Sequence, residues 1–134
     1  MQTFDVLKFE VVSDDAEIRD IWIMMEKSRL VQRHDKRTLA AAIGQALTRQ
    51  AFIVKASTGS GRIVSAVIMS QQGTIGNIMQ VYGIGVARRI RDEFFEFLKK
   101  NGIDEIYGSS DRKDGAISKL FGMERLYTVY KRRL

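Results

Sequence analysis

Residues 75–91, IGNIMQVYGIGVARRIR, pass from a strand pattern to a helix pattern across two closely spaced glycines. The first part, Ile75–Tyr82, is apolar and partly β-branched, which favours a β-strand. The second part begins the clearest apolar stripe of the chain, whose residues recur at helical spacing: Val86, Ile90, Phe94, Phe97 and Leu98. We therefore expect a strand that turns into a long helix, and the pair Asn101-Gly102 is typical of a helix end.

The turn between this strand and this helix has the composition of an anion site. Gly83 and Gly85 allow a backbone to approach a ligand closely. A helix N-terminus adds unpaired amide groups with partial positive charge, and Arg88 and Arg89 add two full charges. The pattern predicts phosphate or pyrophosphate binding, although a tight turn without a ligand accounts equally well for two glycines before a helix.

Strand and helix patterns fill the rest of the chain without a linker or repeat. The other strands are predicted at 4–12, 52–56, 63–69, 103–107 and 126–130, and the other helices at 14–26, 38–50 and 115–121. The order β-α-α-β-β-β-α-β-α-β predicts a single domain over residues 1–134.

Composition excludes several classes of protein. With 45% apolar and 28% charged residues, the chain of 134 residues is an ordinary globular domain and not a disordered one. The absence of cysteine excludes a disulfide framework and a thiolate metal site. With His34 as the one histidine, a histidine-based metal cluster or a conventional Ser-His-Asp triad is strongly disfavoured. No apolar run approaches the about 18 residues of a membrane span, and no signal peptide is visible, so we expect a soluble cytoplasmic protein.

Charge is distributed unevenly along the chain. The net charge is +6, yet residues 36–91 contain eight basic residues and no Asp or Glu. The pattern indicates either a solvated basic surface or proximity to an anionic ligand. A nucleic acid is the least supported partner, because no nucleic-acid motif accompanies the charge.

The element order, together with Gln80-Val81-Tyr82-Gly83-Ile84-Gly85 ahead of a helix, resembles the GCN5-related N-acetyltransferase (GNAT) superfamily. The resemblance implies an α/β fold with a mixed, mostly antiparallel sheet of six or seven strands flanked by helices. It also implies acetyl-CoA as co-substrate and no metal. The pyrophosphate of acetyl-CoA would be held by Gln80, Val81, Tyr82, Gly83, Ile84, Gly85, Val86 and Arg88. The stretch Lys119–Arg125 is similar to the family's last helix and the turn after it.

The positions that carry proton transfer in the family differ here. Where the family often has an Asn followed seven residues later by a Tyr acting as general acid, this chain has Asp111 and Ser118. The frequent carboxylate base on the fourth strand is also absent. The remaining catalytic candidates are Tyr107, Ser110 and Asp111, which are also typical of a half-buried strand tyrosine, a loop serine and a helix N-cap. His34 borders the acceptor side in the proteins that this one resembles and is more typical of a solvated loop.

Two functions follow from the resemblance. The first is an N-acetyltransferase in which an acceptor amine attacks the thioester directly in a ternary complex. It predicts that a bulky residue at Gly83 or Gly85 abolishes CoA binding and leaves the fold intact. The alternative is a non-catalytic binding or structural protein on the same scaffold, such as a phage virion component. The basic residues favour an acidic acceptor, and homodimers are common in the proteins that this one resembles.

Overall fold

The computed structural model of the protein describes residues 6–27, 36–83 and 88–108. Its elements are β1 (Lys8–Val12), α1 (Asp15–Glu26), α2 (Lys36–Leu47), β2 (Phe52–Ser57), β3 (Ile63–Gln72), β4 (Ile75–Tyr82), α3 (Arg88–Lys100) and β5 (Glu105–Gly108). The strands form one sheet in the order β1-β2-β3-β4-β5. All neighbouring strands are antiparallel except β4 and β5, which are parallel. The predicted mixed, mostly antiparallel sheet is therefore confirmed with five described strands, and the elements predicted at 115–121 and 126–130 lie outside the described residues.

Two hydrophobic cores lie on opposite faces of the sheet. The first is formed by α1 and α2 with one face of the strands, and its largest members are Ile18, Ile21, Met25, Leu39, Ile43, Ile53 and Ile68. The second is formed by α3 with the other face, and its members include Val54, Val67, Met69, Ile90, Phe94 and Leu98. Because β2 and β3 are covered on both faces, their central residues are mostly apolar instead of alternating. None of the described helices is both long and apolar enough to span a bilayer.

Helix α1 begins at an N-cap residue, Asp14. The carboxylate of Asp14 accepts a hydrogen bond of 3.2 Å from the backbone N–H of Ala16. Glu17 does not return a bond to Asp14, and its carboxylate instead pairs with the ammonium of Lys55 on β2. This contact joins the first turn of α1 to the sheet.

Helix α3 ends as the pair Asn101-Gly102 predicts. Gly102 adopts a φ of +86°, and its N–H donates to the carbonyl of Lys99 at 3.2 Å. The N–H of Ile103 donates to the carbonyl of Leu98 at 3.0 Å. These two bonds form a Schellman motif. The motif reverses the chain so that β5 returns alongside β4.

Gly44 lies inside α2 on an exposed surface, with no atom within 4 Å of the position that a Cβ would take. Replacing it with alanine is expected to raise the free energy of unfolding by about 0.5–1 kcal/mol, because glycine loses more backbone entropy in a helix. Urea unfolding measures the change. The reverse substitution at an exposed site of the same helix, Ala40→Gly, should lower the free energy by a similar amount. A Gly44→Ala protein no more stable than the original would contradict this account of α2.

Candidate functional site

The described pairing of β4 with β5 covers the first half of β4. They pair from Ile75 opposite Glu105 to Ile78 opposite Gly108, whereas β4 remains paired with β3 as far as Tyr82. Among the residues that the structure describes, 80–82 therefore have no strand neighbour on the side of β5. Backbone N–H and C=O groups on such an edge need other partners. Within residues 6–27, 36–83 and 88–108, this half of β4 is an edge without a partner strand, which we call the open edge, and its main-chain groups can hydrogen-bond a ligand.

A β-bulge lies in β4 directly after the last residue that is described as paired with β5. Ile68 of β3 is opposite Gln80, but the next residue of β3, Met69, is opposite Ile78. Met79 is therefore the extra residue, and a bulge of this kind bends its strand and increases the twist. The bend coincides with the end of the described pairing between β4 and β5.

Gly83 ends β4 in a backbone conformation that only glycine tolerates without strain. Its φ is +76°, and a Cβ at this position would lie 2.2 Å from the carbonyl oxygen of Val64 on β3. Such a distance is far below any real contact, and the oxygen of Val64 belongs to the backbone, so no side-chain rotation relieves it. The expectation that a bulky residue here leaves the fold intact is therefore wrong for Gly83, because the chain needs this glycine whether or not a ligand is bound.

The residues predicted to bind the pyrophosphate are distributed over two elements. Gln80, Val81 and Tyr82 lie within β4 and are half-buried. Val81 and Tyr82 pack against opposite cores of the protein. Arg88 is the first residue of α3, whose first turn contains no acidic residue. The remaining predicted contacts, Ile84, Gly85 and Val86, lie outside the described residues.

Of the catalytic candidates, the structure describes Tyr107. It lies on β5 opposite Asn77, one residue pair before the described pairing of the two strands ends. Its hydroxyl donates a hydrogen bond of 2.9 Å to the carboxylate of Glu105. Ser110, Asp111 and His34 lie outside the described residues.

One side chain near this part of the protein was interpreted from the sequence only as core. Trp22 of α1 packs against the first core, as do Met79 and Tyr82 of β4. Its indole N–H is buried and has no hydrogen-bond partner. A buried donor of this kind is costly unless an oxygen reaches it. The helical spacing of α1 identified Trp22 as apolar and carried no signal that its polar atom is unpaired.

Several basic residues of the acid-free segment have acidic partners from elsewhere in the chain. Arg49 pairs with Asp15 at 2.9 Å, and Lys55 pairs with Glu17. Arg91 pairs with the adjacent Asp92 at 3.2 Å. The segment is acid-free along the sequence, but the fold brings the acidic first turn of α1 against its cations. Carboxylates of the protein itself, those of Asp15, Glu17 and Asp92, therefore supply part of the negative charge that the basic pattern predicts nearby.

No family model and no curated protein matches the sequence. Solved structures do match, over almost the whole chain. A possible acetyltransferase from Clostridium difficile 630 is similar with a TM-score of 0.64 and 14% identity, covering 97% of this chain and 99% of its own. The ribosomal-protein-alanine N-acetyltransferase from Brucella melitensis biovar Abortus 2308 has a TM-score of 0.61 and 15% identity, covering 96% of this chain and 99% of its own. A predicted acetyltransferase from Clostridium acetobutylicum, solved with acetyl-CoA, has a TM-score of 0.58 and 13% identity, covering 96% of both chains.

These structures share one fold with the present chain. The chain therefore has the fold of the GCN5-related N-acetyltransferases, in a divergent form, and the resemblance that Gln80 to Gly85 and the element order indicate is confirmed at the level of the fold. At this level of identity the comparison concerns architecture, and the chemistry has to be argued from the site itself.

Proposed function

We propose that this protein is an acetyl-CoA-dependent N-acetyltransferase. The observation that carries the proposal is the β-bulge at Met79 in β4, beyond which residues 80–82 have no strand neighbour on the side of β5 within the part of the chain that the structure describes. This edge leads through Gly83 to the start of α3. Solved structures of the same fold support the proposal, since they are described as acetyltransferases and one of them contains acetyl-CoA.

The residues present fit acetyl-CoA in two parts. The open edge at 80–82 offers main-chain groups to the amide-containing arm of CoA, because an unpaired strand edge hydrogen-bonds an extended partner as a neighbouring strand would. The segment from Gly83 to Arg88 offers backbone amides and positive charge to the pyrophosphate, and the first turn of α3 holds no carboxylate to repel it. When bound, acetyl-CoA supplies an acetyl group activated as a thioester.

The remaining task of the protein is to position an acceptor amine and to remove its proton. In the proposed reaction the amine attacks the thioester directly in a ternary complex, so that proximity supplies most of the rate. β4 contains no Asp or Glu, so Tyr107, Ser110 and Asp111 are our proposed groups for proton transfer. Each can hold or move a proton through an oxygen atom.

The first experiment is a calorimetric titration of the purified protein with CoA, acetyl-CoA and 3′-dephospho-CoA at moderate salt. We expect CoA and acetyl-CoA to bind with dissociation constants in the micromolar range, corresponding to about −8 kcal/mol. We expect 3′-dephospho-CoA to bind within roughly tenfold of CoA, because the proposed contacts are to the pyrophosphate and not to the 3′-phosphate. Absence of CoA binding at millimolar concentration would disprove the proposed function.

A second measurement separates catalysis from binding alone. Release of free CoA thiol from acetyl-CoA is followed with a panel of amines that includes acidic peptides and amino sugars. Acetyl transfer to any amine, above the rate of thioester hydrolysis without protein, supports the enzyme. Tight CoA binding with no turnover across the panel would favour the non-catalytic alternative.

A further inference from the structure

The two faces of the sheet differ in polarity where the described pairing of β4 with β5 ends. On the face that α3 covers, the apolar side chains of Ile78 and Ile106 pack against the second core. Side chains alternate between the faces of a sheet, so Tyr107, which follows Ile106, lies on the opposite face. Gln80 also lies on that face, because it is paired with Ile68 of the first core. Tyr107 and Gln80 thus place polar groups on the face that α1 and α2 cover.

Tyr107 and Glu105 form a hydrogen-bonded pair on this face. The two residues are two positions apart on β5, which places their side chains on the same side of the strand. The hydroxyl of Tyr107 donates to Oε2 of Glu105 at 2.9 Å. Tyr107 is half-buried, whereas Glu105 is exposed. The hydroxyl is therefore oriented by a carboxylate that itself reaches solvent.

We propose that Tyr107 and Glu105 form a proton relay that deprotonates the acceptor amine, with Tyr107 as the catalytic residue and Glu105 as its positioning residue. This inference rests on the proposed function. In the proposed binding mode the pyrophosphate lies at the start of α3, and the arm of CoA runs back along residues 80–82. The thioester ends that arm and is directed towards the last described strand pair, Ile78 with Gly108. Tyr107 precedes Gly108 on β5.

The relay supplies a carboxylate that β4 lacks. β4 contains no Asp or Glu, and an alkylamine is protonated at neutral pH, so it needs a proton acceptor before it can attack a thioester. A tyrosine hydroxyl donates one hydrogen bond and accepts others. It is a poor base alone, because a protonated phenol is a strong acid. Passing its own proton to Glu105 at the same time avoids that charged intermediate.

Two protons leave the acceptor nitrogen in this reaction. Before attack, the ammonium gives one proton to the oxygen of Tyr107 while the hydroxyl proton of Tyr107 passes to Oε2 of Glu105. The uncharged amine then forms the C–N bond, the C–S bond of the thioester breaks, and the thiolate of CoA takes the second proton. The products are the amide and the free thiol. Because Glu105 is exposed, it releases its proton to solvent and again accepts the hydrogen bond of Tyr107.

The test compares two nucleophiles at pH 7 by the release of CoA thiol: the panel amine that turns over fastest, and hydroxylamine, which is already uncharged. Glu105→Gln and Tyr107→Phe should each lower kcat for the amine about 100-fold and for hydroxylamine less than about threefold, because hydroxylamine needs no base before attack. CoA affinity should stay within about twofold, since the relay acts on the acceptor. Asp104→Asn is the matched control, because it removes the same charge from the neighbouring exposed residue and should keep both activities.

Two further comparisons separate a relay from a structural role. The loss in Glu105→Gln should shrink as the pH approaches about 10, where an alkylamine loses its proton unaided. The double variant Glu105→Gln/Tyr107→Phe should be no slower than either single variant, because groups that act as one unit are not additive. Structural damage would instead cause the same loss at every pH.

A measurement on the free protein tests the pair without acetyl-CoA. Protonation of Glu105 removes the carboxylate from the hydroxyl of Tyr107 and shifts the ultraviolet absorption of that ring to shorter wavelength. An acid titration of Asp104→Asn should show this tyrosine difference spectrum, whereas Glu105→Gln and Tyr107→Phe should lack it. Similar urea midpoints would show that all variants are folded, because a single exposed hydrogen bond contributes little to stability.

Three outcomes would overturn the inference. If the unaltered chain is active and Glu105→Gln matches Asp104→Asn at every pH, the relay is wrong and the proposed function stands. Equal losses with the amine and with hydroxylamine would show that the pair has a structural role. Absence of turnover in an unaltered chain that binds CoA would overturn the relay together with the proposed transferase activity.

Discussion

Replacement of Gly83 with alanine is expected to lower the free energy of unfolding by about 3 kcal/mol. The added methyl group would lie 2.2 Å from the carbonyl oxygen of Val64. Two backbone segments in paired strands would have to move apart, since no flexible side chain can yield. Residue 83 would also be held at a positive φ, which costs a non-glycine residue about 1–2 kcal/mol. Urea unfolding measures the change directly.

Gly73 provides the matched control for this prediction. It also has a positive φ, +60°, but no atom lies within 4 Å of the place that its Cβ would take. Gly73→Ala therefore carries the cost of the conformation without the clash, about 1 kcal/mol. The difference between the two variants isolates the contact with Val64. Equal losses of stability in the two proteins would show that this contact is not a constraint.

The largest effect on ligand affinity is expected at Arg88. Arg88→Glu should weaken CoA binding about 10- to 100-fold, because it replaces a cation by an anion where we propose that the pyrophosphate binds. The same change should raise the stability of the free protein by about 0.3–1 kcal/mol, since a helix N-terminus prefers negative charge. Binding and stability would thus change in opposite directions. Calorimetric titration and urea unfolding of one variant give both values.

Lys99→Glu is the control at the opposite end of the same helix. It makes the same change in net charge in the last turn of α3. We expect stability to fall by about 0.3–1 kcal/mol, because a helix C-terminus prefers cations. CoA affinity should remain within about twofold, since the charge lies at the other end of α3 and is screened by salt. If Arg88→Glu and Lys99→Glu weakened CoA equally, the effect would come from net charge and not from a site at the start of α3.

Local sequence patterns predicted the elements around the site well. β4 was predicted over residues 75–82, as found, because its β-propensity and its flanking glycines are local properties. The end of α3 was likewise predicted, since Asn101-Gly102 forms its cap from neighbouring residues alone. The sequence pattern also contained Gly83, which was interpreted as a ligand contact. That interpretation missed the close approach of the Val64 backbone, which leaves no space for a Cβ at residue 83.

Features that depend on distant contacts were not predictable in this way. Helix α2 was expected to run to residue 50 but ends at Leu47. Arg49 adopts a φ of +65°, and its guanidinium donates to the carbonyl of Ser13 at 2.7 Å, a contact across the fold. The sequence also gives no indication of the bulge at Met79, because the bulge is defined only by the register between β3 and β4. The open edge of the candidate site depends on that register, so it could be inferred from the sequence only through the family resemblance.

The ion pairs at the start of α1 change how the charges of this protein act on a molecule at a distance. Asp15 and Glu17 belong to an acidic stretch and Arg49 and Lys55 to a basic one, but in the folded protein they form neutral pairs. Beyond a Debye length of about 8 Å, such a pair contributes almost nothing to the field around the molecule. A polyanion approaching from a distance would therefore meet a weaker attraction than the count along the chain implies. The surplus of six positive charges acts on approaching molecules from the rest of the surface, while these two pairs join the first turn of α1 to the connection before β2 and to β2 itself.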